Sequence, residues 1–175
     1  MKKVLFIAVL AILGLGKVNA QEAAFGVTGG FHNFTISLSE DNASASESYA
    51  GFFIGVFADF IISDKFSIQP ELQYAAVTVE NETLDELIIP IAVKYYVAEK
   101  FYLQAGPQFD YVMEEDSEGI NKFGVGFLIG AGFDFTDKLF ATTRYSFGLT
   151  NRVEGTPSGL SSRFNTFQIG LGYRF

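Results

Sequence analysis

The sequence predicts an all-β chain, an eight-stranded antiparallel up-and-down transmembrane β-barrel. Three observations predict it. Apolar and polar residues alternate with period two in about eight segments. Short turns made of an acid followed by lysine alternate with mostly longer connections rich in acid, Ser, Asn and Gly. One face of almost every segment is apolar or aromatic while the other collects charges, glutamines and glycines.

The chain has 175 residues, one domain's worth, with 49% hydrophobic residues, 20 Phe and no Cys. It can therefore build a core or a lipid-facing belt, but no disulfide and no lipidated cysteine. Lys2 and Lys3, the apolar run 4–15 and the small-residue site Val18-Asn19-Ala20 read as a secretory leader. Residues 1–20 are expected to be a cleaved signal peptide and residues 21–175 the barrel domain. The apolar run is shorter than the about 20 residues a spanning helix needs, and no other stretch approaches that length. Membrane insertion must then use strands. The formal charge is −8, and loss of three lysines with the leader takes it to −11. That balance excludes a nucleic-acid partner held through its phosphates.

In chain order, segment 25–36 is the loosest match, with His32, Gly30 and Thr28 on its inward face. The next sets Phe52, Ile54, Val56, Ala58 and Phe60 outward against Phe53, Phe57 and Asp59. The third sets Phe66, Ile68, Pro70, Leu72 and Tyr74 against Ser67, Gln69, Glu71 and Gln73. The fourth sets Leu87, Ile89, Ile91, Val93 and Tyr95 against Ile88, Pro90, Ala92, Lys94 and Tyr96. The fifth sets Phe101, Leu103, Ala105, Pro107, Phe109 and Tyr111 against Tyr102, Gln104, Gly106, Gln108 and Asp110. The sixth is the clearest, with Phe123 through Phe135 outward at every second place and Gly124, Gly126, Leu128, Gly130, Gly132 and Asp134 inward. The seventh places Phe140, Thr142, Arg144 and Ser146 inward, and the eighth Thr166, Gln168, Gly170, Gly172 and Arg174.

The tight turns are 63–65, 98–100 and 136–138, and the longer connections 37–49, 80–86, 114–121 and 151–163. Short turns on one rim and long loops on the other suit an outer-membrane barrel with its short turns in the periplasm. A water-soluble barrel would bury its charged face in an apolar core, at about 1–3 kcal/mol for each unpaired group. Pro70, Pro90 and Pro107 each remove a ladder donor, so bulges or local gaps in pairing are expected there.

Gly26-Val27-Thr28-Gly29-Gly30-Phe31-His32-Asn33-Phe34, the glycine-spaced strands, the acid–Lys turns and the ending Leu171-Gly172-Tyr173-Arg174-Phe175 resemble the PorT-like outer-membrane β-barrel proteins of Bacteroidetes. These are porin-family barrels of OmpA/OmpX-like size, and the resemblance covers residues 24–175. It implies an outer-membrane location, with outer-membrane lipid and lipopolysaccharide around the barrel. It also implies that Leu171, Tyr173 and Phe175 form the signal read by the barrel-assembly machinery. It implies no activity.

Little in the chain suggests catalysis. His32 is the only histidine, no G-x-S-x-G is present, and a lumen hydrogen-bonding role fits His32 best. Asp59, Glu71, Lys94, Asp110, Asp134, Arg144 and Arg174 are expected to form a lumen charge network of interior ion pairs, with a proton or ion relay as the alternative. The acidic run 114–119 lacks the D-x-D-x-D-G ligand spacing and reads as a solvated loop, with weak divalent capture beside lipopolysaccharide as the alternative. No cofactor is expected. The function expected is that of a filled, non-enzymatic scaffold acting structurally or on a surface partner of unknown identity through acidic loops at 40–47, 80–86 and 114–118. The alternatives are a small transport pore with glycines leaving room along one wall, or a membrane-lipid enzyme.

Overall fold

The computed structural model describes residues 23–40, 43–79, 82–113, 121–153 and 160–175. The expected signal peptide and the acidic loop 114–118 lie outside the described residues. Eight strands follow in order: β1 (Ala23–Glu40), β2 (Ala43–Ser63), β3 (Phe66–Val79), β4 (Glu82–Tyr96), β5 (Phe101–Val112), β6 (Phe123–Asp134), β7 (Leu139–Gly148) and β8 (Leu160–Arg174). Each pairs antiparallel with its sequence neighbours, and β1 pairs with β8 to close the barrel.

Alternation dictates the two faces, because successive side chains of a strand point to opposite sides. On β2, Phe52, Ile54 and Val56 are 54%, 59% and 49% exposed, while Phe53 and Phe57 are buried. The same holds on β6, where Phe127 and Ile129 face out and Leu128 is buried, and on β8, where Ile169 and Leu171 face out and Gln168 is buried.

The acid–Lys turns have a common construction. Ser63 Oγ accepts from the amide of Phe66 at 3.2 Å, and Thr136 Oγ1 from that of Leu139 at 2.9 Å. The lysine carbonyls then hold the next hairpin: Lys65 O accepts from Tyr96 N, Lys100 O from Asp134 N and Lys138 O from Arg174 N. The periodic motif thus satisfies backbone groups at a rim that would otherwise present unpaired carbonyls. Phe175 N donates to Phe25 O at 2.9 Å and completes the ring.

At the opposite rim the structure departs from the expectation. The described residues of segment 37–49 are strand: β1 and β2 stay paired from Ala23↔Phe60 as far as Glu40↔Ala43. Segment 80–86 is likewise mostly strand, with β3 and β4 paired to Val79↔Glu82. Polarity hid these extensions, because the pattern inverts along β1. Phe25, Val27 and Phe31 face outward and exposed, but the next outward positions are Asn33, Thr35 and Ser37. Meanwhile the inward Phe34 is fully buried and packs edge-on against Phe164 at 4.7 Å. Outward residues change from lipid-compatible to water-compatible where the wall leaves the hydrocarbon, and inward ones change the other way. This inversion is why β1 alternates least cleanly.

The prolines mark gaps rather than shifts. β3–β4 pairing skips the two positions between Pro70↔Ile91 and Gln73↔Ile88, and β4–β5 pairing skips those between Pro90↔Gln108 and Val93↔Ala105, with register kept in both. The irregularity in register occurs on β2 between Ile61 and Ser63.

Candidate functional site

The polar lumen is the candidate site, and it is built in three layers. Toward the short-turn rim, Lys94 Nζ lies 2.7 Å from Asp59 Oδ2, and Arg174 reaches Asp134 at 2.9 Å and Asp59 at 3.6 Å. Tyr96 OH donates to the other Asp134 oxygen at 3.0 Å. The two cations lie over aromatic faces, Lys94 4.9 Å from the Tyr102 ring centre and Arg174 4.5 Å from that of Phe140. Four strands, β2, β4, β6 and β8, supply its charges; parity turns them inward, and the stagger of the strands brings them to one level.

The middle layer centres on Glu71, which is fully buried. Its carboxylate accepts from Gln69 and Gln73 Nε2, each at 2.6 Å, and from Arg144 Nη2 at 2.5 Å. Arg144 Nε donates to Gln104 Oε1 at 3.1 Å. With two neutral donors and a guanidinium on one carboxylate, the buried charge is compensated in the way a low-dielectric interior demands.

From Glu71 a chain of amides crosses the lumen. Gln73 spends its Nε2 on Glu71 and offers Oε1 to Gln168 Nε2 at 2.9 Å. Gln168 Nε2 also lies 3.2 Å from His32 Nδ1, so Nδ1 serves as the acceptor and the ring proton belongs on Nε2. His32 Nε2 faces Glu86 at 3.6 Å, and neither it nor the Glu86 oxygens has a hydrogen-bond partner among the described residues.

The third layer, at the loop rim, pairs Arg152 with Asp110. Arg152 also donates to the carbonyls of Asn121 and Lys122 and lies 4.5 Å from the Phe164 ring centre. All seven charged residues named from the sequence lie in the lumen, but Asp110 finds its partner in Arg152, which lay within a segment read as loop. Glu86, assigned to the outward acidic surface, points inward and is 2% exposed. It sits on strand β4, and its parity is that of Ile88.

Bulky side chains fill what remains. A side-chain carbon added at Gly132 would collide with the Tyr102 ring, at Gly172 with Phe140, at Gly26 with Phe57 and at Gly170 with Phe53. The glycines do not hollow out one wall: these four accept rings, Gly124 lies under the Arg152 guanidinium, and Gly126 and Gly130 closely approach Ser146 and Thr143–Arg144 of β7. Phe57 and Phe140 meet edge-on at 5.4 Å, and Phe53, Ala75 and Ile88 form an apolar cluster above the polar centre. No described hydroxyl hydrogen-bonds to His32, so the geometry of a Ser–His hydrolase is not assembled there.

Residues 19–154 match the family described as outer membrane protein beta-barrel domain. The chain belongs to that family. The Opacity protein opA60 of Neisseria gonorrhoeae is 28% identical over 123 residues, which cover 67% of this chain and 48% of that protein. The chain thus spans about half the length of that relative's matched protein. Among solved structures, Ail, the attachment invasion locus protein of Yersinia pestis, superposes with a TM-score of 0.58 at 13% identity, covering 88% of this chain and 99% of Ail. The outer membrane enzyme PagL superposes at 0.56 and 11% identity, covering 88% of this chain and all of PagL. At such identities the likeness is one of fold. Family and fold together place the barrel in the bacterial outer membrane.

Proposed function

We propose that this protein is a non-enzymatic outer-membrane scaffold that acts structurally or at the cell surface, and that its lumen conducts nothing. The observation that carries the proposal is the packed lumen: three layers of paired charge with aromatic rings seated on glycines. An eight-stranded barrel has an interior just wide enough to be filled by its own side chains. Contact with partners then falls to the loop rim, where β8, β1 and β2 continue past the lipid boundary as a paired ribbon. That ribbon, the exposed Glu47, the outward Asp85 and the acidic connection at 114–118 are its interaction surface, set in a chain of formal charge −8. Such a surface favours cationic partners over nucleic acid or other polyanions.

Within the family, the PorT-like branch of Bacteroidetes is the proposed affiliation, carried by the glycine-spaced strands and the acid–Lys turns. Residues 1–20 serve as the cleaved leader, Leu171, Tyr173 and Phe175 as the mark read by the barrel-assembly machinery, and lipopolysaccharide as the outer-leaflet neighbour. Purified barrel reconstituted in planar bilayers is expected to show no steady current, and to migrate differently on gels when heated. A reproducible open channel would overturn the proposal.

A further inference from the structure

We propose that Glu71 sets the position of the His32 proton across the lumen, acting through the side-chain amides of Gln73 and Gln168. The string from Glu71 to Glu86 then has two states, which differ only in the direction of its hydrogen bonds. Its links are on the page. Gln73 Nε2 lies 2.6 Å from Glu71 Oε2, and Gln168 Nε2 lies 2.9 Å from Gln73 Oε1 and 3.2 Å from His32 Nδ1. Glu71, Gln73, Gln168 and His32 are all buried, so a mismatched partner is not replaced by bulk water.

An amide has one donor end and one acceptor end, so fixing the first fixes the second. An ionised carboxylate only accepts. Glu71, ionised beside Arg144 at 2.5 Å, draws the nitrogen of Gln73 and leaves its oxygen for Gln168. Gln168 answers with its nitrogen, which also faces Nδ1 of His32. The ring therefore carries its proton on Nε2, toward Glu86 at 3.6 Å. Glu71 is thus a positioning residue for a ring that it does not touch.

A neutral group at position 71 reverses the string. In Glu71→Gln, Arg144 and Gln69, which both donate to Oε1, hold the amide oxygen in that place. The amide nitrogen takes the place of Oε2 and donates to Gln73. Gln73 and Gln168 turn over in succession, and the Gln168 oxygen now faces Nδ1. Nδ1 must then carry a proton, taken from solvent while Nε2 keeps its own. The imidazolium so formed pairs with Glu86, whose oxygens have no hydrogen-bond partner among the described residues. Protonation of Glu71 itself puts a donor in the same place, so the string carries the charge state of the lumen's centre to its loop-side end. Arg144 and Lys94 are the cations that act on Glu71, and Arg152 is the one on which Glu86 acts. No proton travels through the amides; only donor and acceptor roles change.

His32 is the only histidine, so nitrogen NMR of the histidine-labelled barrel in lipid nanodiscs reads this one ring. At mildly alkaline pH the wild type is expected to be bare at Nδ1 and protonated at Nε2, and Glu71→Gln to be protonated at Nδ1. A through-space effect has the opposite sign, because removing a negative charge disfavours a cationic ring. Gln73→Leu cuts the string, and adding Glu71→Gln to it is expected to leave the His32 signals where Gln73→Leu alone puts them. A native ring protonated at Nδ1 would overturn the proposal, as would a Glu71→Gln ring still bare there. A shift that Glu71→Gln still produces in the Gln73→Leu background would also overturn it. Should Glu71→Gln not fold, the wild type decides through the coupling expected across the hydrogen bond from Gln168 Nε2 to His32 Nδ1, whose absence sinks the idea.

Discussion

At the scale of single residues, the lumen works as a set of mutual obligations. Glu71 has three donors aimed at it, and Arg144 spends two of its nitrogens on Glu71 and Gln104. Removing one partner of a desolvated pair strands the other, at about 3–5 kcal/mol. Arg144→Met should lower stability by about that amount in urea unfolding of the reconstituted barrel. Adding Glu71→Gln to it should cost less than the sum of the two single losses, because neither charge is then left alone. Strictly additive losses would show the pair to be uncoupled. Parity alone exposed Glu71, Arg144 and five other charges in the sequence. Arg152 and the inward aim of Glu86 were illegible, because both fall where the alternation loses its lipid-facing signature.

At the scale of elements, each strand crosses two solvents. Within the hydrocarbon its outer face is apolar; beyond it the outer face carries Asn33, Thr35, Ser37, Ser46 and Ser48, with Thr35 and Ser48 hydrogen-bonded at 2.8 Å. The boundary can be measured on one strand. Val56→Arg places a cation on the lipid-facing part of β2 and should cost about 2–4 kcal/mol, whereas Ser46→Arg on the same face should cost at most about 1 kcal/mol. Equal penalties in folding titrations with lipid vesicles would mean that the ribbon lies in the membrane. A pattern search keyed to apolar-out alternation stops at this boundary, which explains why the ends of β1, β2, β3 and β4 read as loops.

At the scale of the whole molecule, closure is the property that matters most. Strand β1 alternates least cleanly, yet its seam with β8 is continuous from Gly26↔Arg174 to Glu40↔Leu160. Gly30 and Gly170 face each other there, and a side-chain carbon at Gly30 would meet the β8 backbone. At that pair the seam is a close backbone approach, while above it side chains meet across the seam, His32 with Gln168 and Phe34 with Phe164. Hydrogen exchange should find amides of residues 26–34 and 166–174 as slow as those of β5 and β6, since a closed barrel opens as one unit. Fast exchange confined to the seam would show a barrel that breathes at its first and last strands.

The sequence by itself determined the strand count, the inward and outward faces and the rim of short turns. These follow from local periodicity and turn chemistry, which need no knowledge of distant residues. Only the tertiary structure decided which charges meet and which rings sit on which glycines. Those depend on the stagger of eight strands around a closed ring. A lumen contact such as Gln73 to Gln168, 95 positions apart, is set by that stagger and leaves no trace in local spacing.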